Sequence, residues 1–600
     1  MKKFFLLCLM GLGILFPQVS TGQTLVIKGQ VVDAKTNETL PGVTVVIKGT
    51  NQGVSSDGAG MYSIKAAPGQ VLNFTFVGYR LNEVTIGKST QINVRMEADF
   101  QMIKEVVVTA LGIKEEKKNL GVAVTEVKGN EILRSQRTNF VDALQGRVAG
   151  LSVNQSSGLP GASSSVVIRG ISSLSGSNEP LYIVDGLPYN NKTFATSSFA
   201  TASTSAQSLE NRNVDFSNRG ADINPEDIES VSVLKGPEAT SLYGIDASNG
   251  AIVITTKRGK AGELKINYSN SFSFTKIRKV PEIQQVYGQG RNGTLDSTYF
   301  QYFGEPYAAG TKLYDNISPF FQTGFAQRHN VSFEGGSQKT QYRLSASYID
   351  SKGIVPGTGQ NKLNITNSIR GDISKFFNFD FTMAYTNDKV DRVFKSAGGP
   401  MIGLLHWPSR DAAIKYLNTD GTRRQVAGTA DTYENPYFNV NKNDLWTKNS
   451  RFVSSTTLNF IPTEWLKFVG KFGIDIYTEQ NYVLRHPESN LARSLGGLID
   501  DAVGNNRNLN WEYYAMFNRK FGDFKLDFKV GGMINDLSYK SVAGSGEGFL
   551  DPNFASLNNI PPDKQRTRSL ISQKRVIGAN SHQPGKAPGK GLTCGIGAGR

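Results

Sequence analysis

The residues best suited to metal chemistry are scattered along this chain. Its four histidines fall at positions 329, 406, 486 and 582, and no H-x-x-E or H-E-x-x-H pattern joins them. A zinc site needs clustered ligands. Both cysteines lie near the chain ends, at Cys8 and Cys594, so the body between them has no possible disulfide and no thiolate metal site. We expect no metal and no catalytic zinc.

Nucleotide and hydrolase chemistry is not indicated either. No G-x-x-x-x-G-K-[ST] loop is present, and Gly589-Lys590-Gly591 lacks both the hydroxyl residue and a preceding strand. The acidic residues form neither a close carboxylate pair nor part of a Ser/His/Asp set. We therefore predict that the chain is not an enzyme and that it holds no cofactor.

Composition predicts a folded chain. Of 600 residues, 38% are hydrophobic and only 20% are charged, with 34 Phe, 22 Tyr and 63 Gly. This is enough apolar surface for a core, which disfavours intrinsic disorder. Almost half of the net charge of +15 lies in residues 561–600, where eight Lys or Arg oppose one Asp. The remaining surface is mildly basic, and we expect no nucleic-acid partner.

The N-terminus predicts export. Lys2 and Lys3 precede an apolar stretch from Phe4 to Phe16, and the small residues of Ser20-Thr21-Gly22 suit a cleavage site, so residues 1–22 are predicted to be a signal peptide. No later run reaches 18 apolar residues. If the mature chain enters a membrane, it must do so as a closed β-barrel, because that is the other structure that satisfies every backbone group in lipid.

Residues 24–98 are typical of a small β-sandwich, with short strands separated by Pro-Gly and Asp-Gly turns. The stretch resembles the carboxypeptidase-regulatory-like sandwich. A hydrophobic segment, Val106–Thr109, follows it and is succeeded by the charge run at 114–118. The segment could be an internal strand. Its flanks favour another interpretation, in which it pairs with an exposed sheet edge of a partner protein.

Two further regions follow. Residues 115–258 indicate an α/β unit with helical spacing at 139–148, while residues 262–576 repeat a strict alternation of apolar and polar side chains. In the second region, short turns alternate with long polar stretches at 277–327, 351–361, 388–451 and 478–509. This pattern is typical of an outer-membrane barrel, whose strands are about 9–11 residues long. We find nine clear strands and a tenth candidate at 567–576, and a soluble sandwich is the alternative.

Five motifs then resemble those of SusC/RagA-like TonB-dependent receptors of Gram-negative outer membranes. They are EVVVTALGIK (105–114), FVDALQGRVAGLSV (140–153), VVIRGISSL (166–174), PLYIVDGLPYNN (180–191) and LKGPEATSLYGIDASNGAIVITTKRG (234–259). The resemblance implies a TonB box at 103–112, a plug at about 115–258 and a transmembrane antiparallel barrel of about 22 strands that begins near Gly262. The fold class is therefore mainly β: a sandwich, an α/β plug and the N-terminal part of the barrel.

The resemblance also implies a function and partners. It predicts an outer-membrane receptor, with its N-terminal domain in the periplasm, that imports an oligosaccharide or a peptide. TonB, energised by ExbB and ExbD, would pull on the TonB box, and a SusD-like surface lipoprotein would capture the substrate. A surface adhesin or structural β-protein is the alternative, because it would share the export signal and the loops without needing a TonB box or a plug.

These expectations assign residues to three roles. The TonB-box residues are Glu105, Val106, Val107, Val108, Thr109 and Ala110. The residues expected in the plug motif or at plug–barrel contacts are Arg169, Gly170, Asp185, Gly186, Glu229, Lys235, Gly236, Tyr243 and Gly244. Arg169 and Glu229 are candidates for ion pairs with the barrel wall, and plain solvated charges are the alternative. Exposed aromatic candidates for substrate binding are Tyr189, Phe194, Phe199, Trp407 and Trp446.

One stretch departs from the family pattern. After Val576 the alternation gives way to a Gly-rich sequence at 577–600 that contains Cys594. The barrel strands that we count are about half the number that the family implies. We expect a frame shift or an early end of the reading frame near residue 576. An incomplete barrel would leave two sheet edges unpaired.

Overall fold

The computed structural model describes most of the chain, namely residues 24–34, 36–50, 52–76, 78–97, 106–108, 114–116, 124–174, 176–194, 198–200, 214–236, 239–240, 243–296, 301–426, 433–521 and 524–582. The predicted signal peptide, most of the anomalous tail and both cysteines lie outside these residues. The chain forms two compact units, one up to Val106 and one from Val107. The predicted fold class, mainly β with a large antiparallel sheet, is confirmed.

The first unit is a β-sandwich built from seven strands, one sheet in the order β4-β1-β7 and the other in the order β3-β2-β5-β6. Alternating residues of these strands are buried, as in β4, because one face of each sheet points into a shared core around Ile27, Val45 and Phe74. The strands are β1 (Leu25–Asp33), β2 (Thr44–Ile47), β3 (Gly53–Ser55), β4 (Met61–Ala66), β5 (Val71–Thr75), β6 (Asn82–Thr85) and β7 (Val94–Met96).

The second unit begins with a two-stranded sheet of β8 (Val106–Val108) and β9 (Lys114–Glu116). A mixed sheet follows in the order β10-β15-β16-β13-β14, accompanied by the hairpin β11-β12. We call residues 124–258 the plug. Its elements are β10 (Thr125–Lys128), α1 (Gly129–Arg134), β11 (Leu151–Gln155), β12 (Ser164–Ile168), β13 (Leu181–Val184), β14 (Leu187–Tyr189), β15 (Ile228–Leu234) and β16 (Ala251–Thr256).

The helical spacing predicted at 139–148 forms only a short 3-10 helix, Phe140–Leu144. The Asn139 side chain accepts from the Val141 backbone N–H and caps the start of this helix. Gly146 then takes a positive φ of 76° and ends the helical pattern. The apolar face is nevertheless buried in the plug core, so the prediction was right about the packing and wrong about the length of the element.

Ten strands form the large antiparallel sheet, which we call the wall. Each wall strand pairs with its successor along the chain. The wall strands are β17 (Gly262–Thr275), β20 (Gly324–Gly336), β21 (Thr340–Lys352), β22 (Gly359–Ser374), β23 (Phe377–Asp391), β24 (Asp444–Thr463), β25 (Leu466–Arg485), β26 (Leu498–Phe521), β27 (Phe524–Glu547) and β28 (Gln565–His582). The tenth strand therefore exists, and it extends past residue 576, the boundary expected from the sequence.

Several wall strands are longer than predicted. The strands β26 and β27 each span 24 residues. The predicted loop 478–509 is largely wrong, because β25 continues to Arg485 and β26 starts at Leu498. These polar residues keep the alternation of buried and exposed side chains, and the pairing continues through Arg485 and Leu498. The polar composition of this stretch led us to predict a loop, although the backbone pairing of β25 with β26 continues through most of it.

The connections between wall strands differ at the two ends of the sheet. At one end the turns are short, as at 337–339, 375–376 and 464–465. The long-loop end carries the small strands β18 (Gly290–Arg291) and β19 (Thr294–Leu295), and the helices α2 (Pro400–His406) and α3 (Pro436–Lys442). Among the described residues, none of the helices combines the length and apolar character needed to cross a bilayer.

Candidate functional site

The plug contacts one face of the wall, which we call the inner face, and this face is polar. Alternate residues of β24 are buried on it, including Thr447, Asn449 and Arg451. The residues between them point to the opposite face, where large apolar side chains such as Phe452 and Phe460 are exposed. Strict alternation thus gives the wall one polar and one apolar face. The contact between the plug and the polar face is the candidate site.

Five buried charged groups lie at the centre of this contact. Arg451 binds Asp475 of the neighbouring strand in a bidentate pair, with Nε–Oδ1 at 2.8 Å and Nη2–Oδ2 at 2.6 Å. Its Nη1 also lies 3.2 Å from Oδ2 of Asp222 in the plug. Arg219 of the plug reaches Glu479 of the wall at 3.3 Å and Asp222 at 3.7 Å. Two cations and three carboxylates therefore link the plug and the wall. We call them the central ion cluster.

Aromatic and backbone groups complete the environment of Arg451. The guanidinium lies 3.5 Å from the ring centroid of Tyr189 in the plug and 5.0 Å from that of Tyr477 in the wall. Its Nη2 donates to the backbone oxygen of Asn190 at 3.1 Å. The Tyr189 hydroxyl in turn donates to the backbone oxygen of Arg219 at 3.3 Å. Arg451 is thus held by plug and wall together.

A second buried pair joins the plug to the wall. Arg343 of β21 lies 2.7 Å from Oδ1 of Asp227, which belongs to the plug. The other oxygen of Asp227 accepts from the Thr366 hydroxyl at 2.8 Å and from the Asn224 amide at 2.9 Å. Asp227 ends a short 3-10 turn, Pro225–Asp227, which the Asn224 side chain caps. The turn therefore fixes the position of the carboxylate.

The third contact follows from a hairpin turn. Asp185 and Gly186 have φ values of 49° and 83° between the paired residues Val184 and Leu187, which is the positive-φ pattern of a type I′ turn. The Asp185 carboxylate accepts from the backbone N–H and the hydroxyl of Thr256. It also lies 3.3 Å from Arg258, which reaches Asp380 of the wall at 3.5 Å.

An apolar cluster holds the plug at the long-loop end. Phe194, Phe199 and Phe216 pack together with ring centroids 5.3 to 6.0 Å apart. They also pack against wall residues that include Leu445 and Val483. The prediction that Phe194 and Phe199 are exposed for substrate is therefore wrong: they are 8% and 1% exposed.

The other aromatic substrate candidates are also placed differently from the prediction. Tyr189 is buried at the central ion cluster, as described above. Trp407 is 3% exposed, and its ring N–H donates to Asp411 at 3.2 Å. Trp446 lies on the outer face of β24, where it stacks on Tyr482 with centroids 5.1 Å apart. These aromatic rings were expected to be exposed for substrate, but their apolar area is buried or stacked instead.

The predicted plug–wall ion pairs of Arg169 and Glu229 do not form. Both side chains are exposed, and neither makes an ion pair among the residues that the structure describes. Arg169 and Gly170 instead form a turn with positive φ values of 59° and 91°. Glu229 lies on the outward side of β15, whose other residues are buried. The alternative interpretation, solvated charges, fits these two residues.

The remaining predicted plug residues lie between β15 and β16. Lys235 and Gly236 follow β15 and are half-buried. Tyr243 packs on the small core of Ile183, Leu234 and Val253. Gly244 is exposed with a φ of 74°, a conformation that favours glycine.

The predicted TonB box is only partly described. Val106–Val108 forms β8, which pairs with β9 in a two-stranded sheet. Glu105, Thr109 and Ala110 lie outside the described residues. The segment is thus β-structured, as both interpretations of the sequence required, and its recognition by a partner stays a prediction.

Sequence reasoning missed the residues of the central ion cluster. A usable signal was present, because Arg451, Asp475 and Glu479 occupy inner-face positions within amphipathic strands. Charged residues at such positions need partners. The described residues contain no group of three or more His, Cys, Asp or Glu that could hold a metal ion.

Comparison with known proteins now adds two family matches. Residues 116–251 match the TonB-dependent Receptor Plug Domain, and residues 27–108 match the CarboxypepD_reg-like domain. The first match covers most of the plug, and the second covers the β-sandwich together with β8.

Curated relatives extend the similarity to most of the chain. The chain is 29% identical over 546 residues to TonB-dependent receptor P26 of Formosa agariphila, covering 89% of this chain and 51% of that relative. It is 28% identical over 566 residues to TonB-dependent receptor SusC of Bacteroides thetaiotaomicron, covering 89% of this chain and 52% of SusC. The chain spans about half the length of the curated relatives that it matches.

Solved structures share the fold. The RagAB peptide importer in its open-open state matches with a TM-score of 0.61 at 20% identity, covering 80% of this chain and 54% of that one. The closed-closed state matches with a TM-score of 0.58 at 20% identity, covering 77% and 53%.

Proposed function

We propose a transport role for this chain, which is a SusC-like TonB-dependent receptor by its plug domain, its carboxypeptidase-regulatory-like domain and its relatives. The proposed role is import of a nutrient across the outer membrane, and the first candidate for this nutrient is an oligosaccharide. A peptide is the other candidate, because RagAB, which shares the fold, is a peptide importer. The relatives are named as receptors, and we propose no catalytic role for this chain.

The polar contact between plug and wall supports this role. The plug has its own apolar core around Phe140, Val231 and Ile254, whereas its central attachment to the wall consists of ion pairs and hydrogen bonds. Separating an apolar core exposes hydrocarbon to water. Separating ion pairs allows water to solvate both partners, which recovers much of the lost interaction. A plug held in this way can be moved by an applied force while its own core stays folded.

The segment 105–110 is the proposed point at which that force acts. We propose that TonB, energised by ExbB and ExbD, pairs with this segment as an added strand. The β-sandwich would then lie in the periplasm. A SusD-like surface lipoprotein is the proposed partner at the long-loop end, because long loops of outer-membrane barrels are extracellular.

We also propose the domain boundaries that the sequence indicates. These are a signal peptide at 1–22, a sandwich at 24–98, a TonB box at 103–112, a plug at 115–258 and a barrel portion from 262. The tail at 577–600 needs one adjustment, since β28 continues to His582.

The test compares uptake by cells that express the full chain with uptake by a deletion of 103–112 and by Val107→Pro. Proline removes a backbone donor and weakens strand pairing. Val107→Thr, which keeps a β-branched residue, is the control. We expect the deletion and Val107→Pro to abolish both the uptake of a labelled oligosaccharide or peptide pool and the binding of TonB. The amount of the receptor at the cell surface should be unchanged. Unchanged uptake in the deletion would contradict the proposal and favour an adhesin or structural role.

A further inference from the structure

The plug does not contact the wall continuously. Near the long-loop end, a cavity of about 270 Å³ separates plug residues 136–160 from β17, β20 and β21. We call it the seam cavity. Its volume is close to the lower end of the roughly 300–1,000 Å³ that small-molecule sites usually have. None of the residues of the central ion cluster lines it.

On one side of the cavity, along β17, the wall side chains are short. The inner face of β17 presents Ser271, Ser273 and Thr275 to the cavity. Elsewhere the inner face carries long side chains that reach the plug, such as Lys362, which donates to the backbone oxygen of Ala221, and Arg451. Short hydroxyl side chains leave space and line it with hydrogen-bonding groups. On the plug side, Gln136, Gln155 and Ser157 add further polar groups.

One buried cation lines the seam cavity with unused hydrogen-bonding capacity. Arg328 of β20 is 8% exposed, and its Nη2 donates to the backbone oxygen of Arg137 at 3.1 Å. Its Nε has no hydrogen-bond partner among the residues that the structure describes. Leaving a buried charged donor without an acceptor is costly. The cost would be removed by an anionic ligand in the cavity.

The charges around the cavity have the matching sign. Arg137, Arg328 and Lys352 line it together with a single carboxylate, Asp142. Both oxygens of Asp142 already accept, one from Gln155 and one from the Ser164 hydroxyl at 2.6 Å. The lining therefore combines a net positive charge with many hydroxyl and amide groups.

We propose that the seam cavity is a binding subsite for an anionic saccharide. A carboxylate or sulfate group on the sugar accepts from Arg328, and the sugar hydroxyls bond to the serine, threonine and glutamine side chains. The proposal rests on the import function and narrows its substrate class. A second cavity of about 470 Å³ lies on the same faces of β17 and β20 nearer the short-turn end, beside Asn267 and Ser269. Both cavities lie between the plug and the inner face of the wall.

The test measures saccharide binding to the detergent-purified full chain by titration calorimetry at fixed ionic strength. The probes are hexagalacturonate, a κ-carrageenan hexasaccharide, which carries sulfate groups and no carboxylate, and neutral maltohexaose. We expect at least one anionic probe to bind about tenfold more tightly than maltohexaose, because a charge-assisted hydrogen bond to Arg328 is available. The uronate and sulfate probes distinguish the two sources of negative charge, and preference for either one supports the site.

Three variants make the test specific. Arg328→Gln should remove the preference for the anionic probe, and Ser273→Trp should weaken binding of all probes by filling the cavity. Lys389→Gln is the matched control and should bind like the parent chain, because Lys389 pairs with Asp391 on the outer face of β23. If Arg328→Gln does not fold, the binding measured for Ser273→Trp decides the test. Ser273 is an exposed strand residue, so its replacement should leave the fold intact.

Equal affinity for neutral and anionic probes, binding of none of them, or an undiminished preference in Arg328→Gln would overturn the proposal. Failure of the import function would look different. The binding measurement needs no TonB, so a chain that binds the anionic probe while the 103–112 deletion leaves uptake unchanged would keep the subsite and remove the TonB-dependent role.

Discussion

At the scale of single residues, Arg451 connects more of the plug–wall contact than any other side chain described above. It neutralises Asp475 with two hydrogen bonds, contacts Asp222 and covers the ring of Tyr189. All four side chains are at least nine-tenths buried. Removing one partner from such a cluster leaves the other charges buried without compensation, which is more costly than the cluster's net contribution.

Arg451→Leu should therefore destabilise the seating of the plug by about 3–5 kcal/mol. The measurement is the urea concentration at which a cysteine at Ala221 becomes open to maleimide in a Cys594→Ser background, because Ala221 is a buried plug residue whose backbone oxygen accepts from Lys362 of the wall. Lys448→Leu is the control, since Lys448 is exposed on the same strand and should change stability by no more than about 0.5 kcal/mol. Equal midpoints for both variants would contradict the role of Arg451.

Gly186 offers a second test at this scale. Its φ of 83° belongs to the type I′ turn that places Asp185 against Arg258. Gly186→Ala should cost about 1–2 kcal/mol, because an L-residue disfavours this region. Gly158→Ala, at a plug glycine with open space around its Cβ and no positive φ, is the control and should be near neutral. Both are measured by the same labelling assay, and equal effects would refute the turn assignment.

Residue roles were the part of the site that the sequence predicted least well. Strict alternation in β15 would put Glu229 on the same side as the buried Val231 and Val233, but the register shifts between Ile228 and Ser230 and Glu229 is exposed. Asp222 and Asp227, which do meet the wall, lie in short 3-10 turns that have no period to detect. Their partners come from strands more than a hundred residues away, and spacing in the sequence carries no information about such pairs.

At the scale of elements, the wall was predicted well because period-two alternation is a direct consequence of strand geometry. The strand from Lys265 to Thr275 and the tenth strand were both found from this pattern. Strand ends were predicted less well. Residues 504–508 carry no apolar side chain on either face, so composition alone could not distinguish a strand that continues beyond the apolar band from a loop.

The long loops are also structured elements. Arg423 and Glu434, in the segment between β23 and β24, form a buried ion pair at 3.3 Å. Arg423 also bonds to Glu488 and Asn490 of the segment between β25 and β26. Next to them, His486 is 8% exposed and packs edge-on against Phe438 with centroids 5.4 Å apart.

His486 makes this loop contact sensitive to pH. Burial lowers the pKa of His486, Lys442 lowers it further and Glu488 opposes them. The neutral ring accepts at Nδ1 from the Glu488 backbone N–H at 3.2 Å. Because the folded-state pKa is depressed, the contact is at full strength above the ordinary histidine pKa of about 6.5 and weakens as pH falls below it.

The expected result is faster hydrogen exchange of the Glu488 amide at pH 5.5 than at pH 7.5, after correction for intrinsic rates. His486→Asn, which does not titrate, should lose this pH dependence. An equal pH dependence in the variant would contradict the assignment to His486.

At the scale of the whole molecule, the order of sandwich, plug and wall was readable from the sequence because each has its own pattern of turns and periods. The contact between plug and wall was not, since it depends on charges brought together by the fold. The edge strands of the ten-stranded sheet are β17 and β28, and most residues of 262–275 and 565–578 are exposed. The matched relatives are about twice as long as this chain.

The central claim is that the plug is a separately movable element, held at the centre of the wall by polar contacts and at the long-loop end by one apolar cluster, and pulled from its N-terminal side. Its most direct test is single-molecule pulling between residue 107 and a wall anchored at β24. The account predicts a first extension no longer than that of residues 107–258, about 550 Å at roughly 3.6 Å per residue, and a lower release force in Arg451→Leu than in Lys448→Leu. A first extension that exceeds this length, because wall strands leave together with the plug, would contradict it.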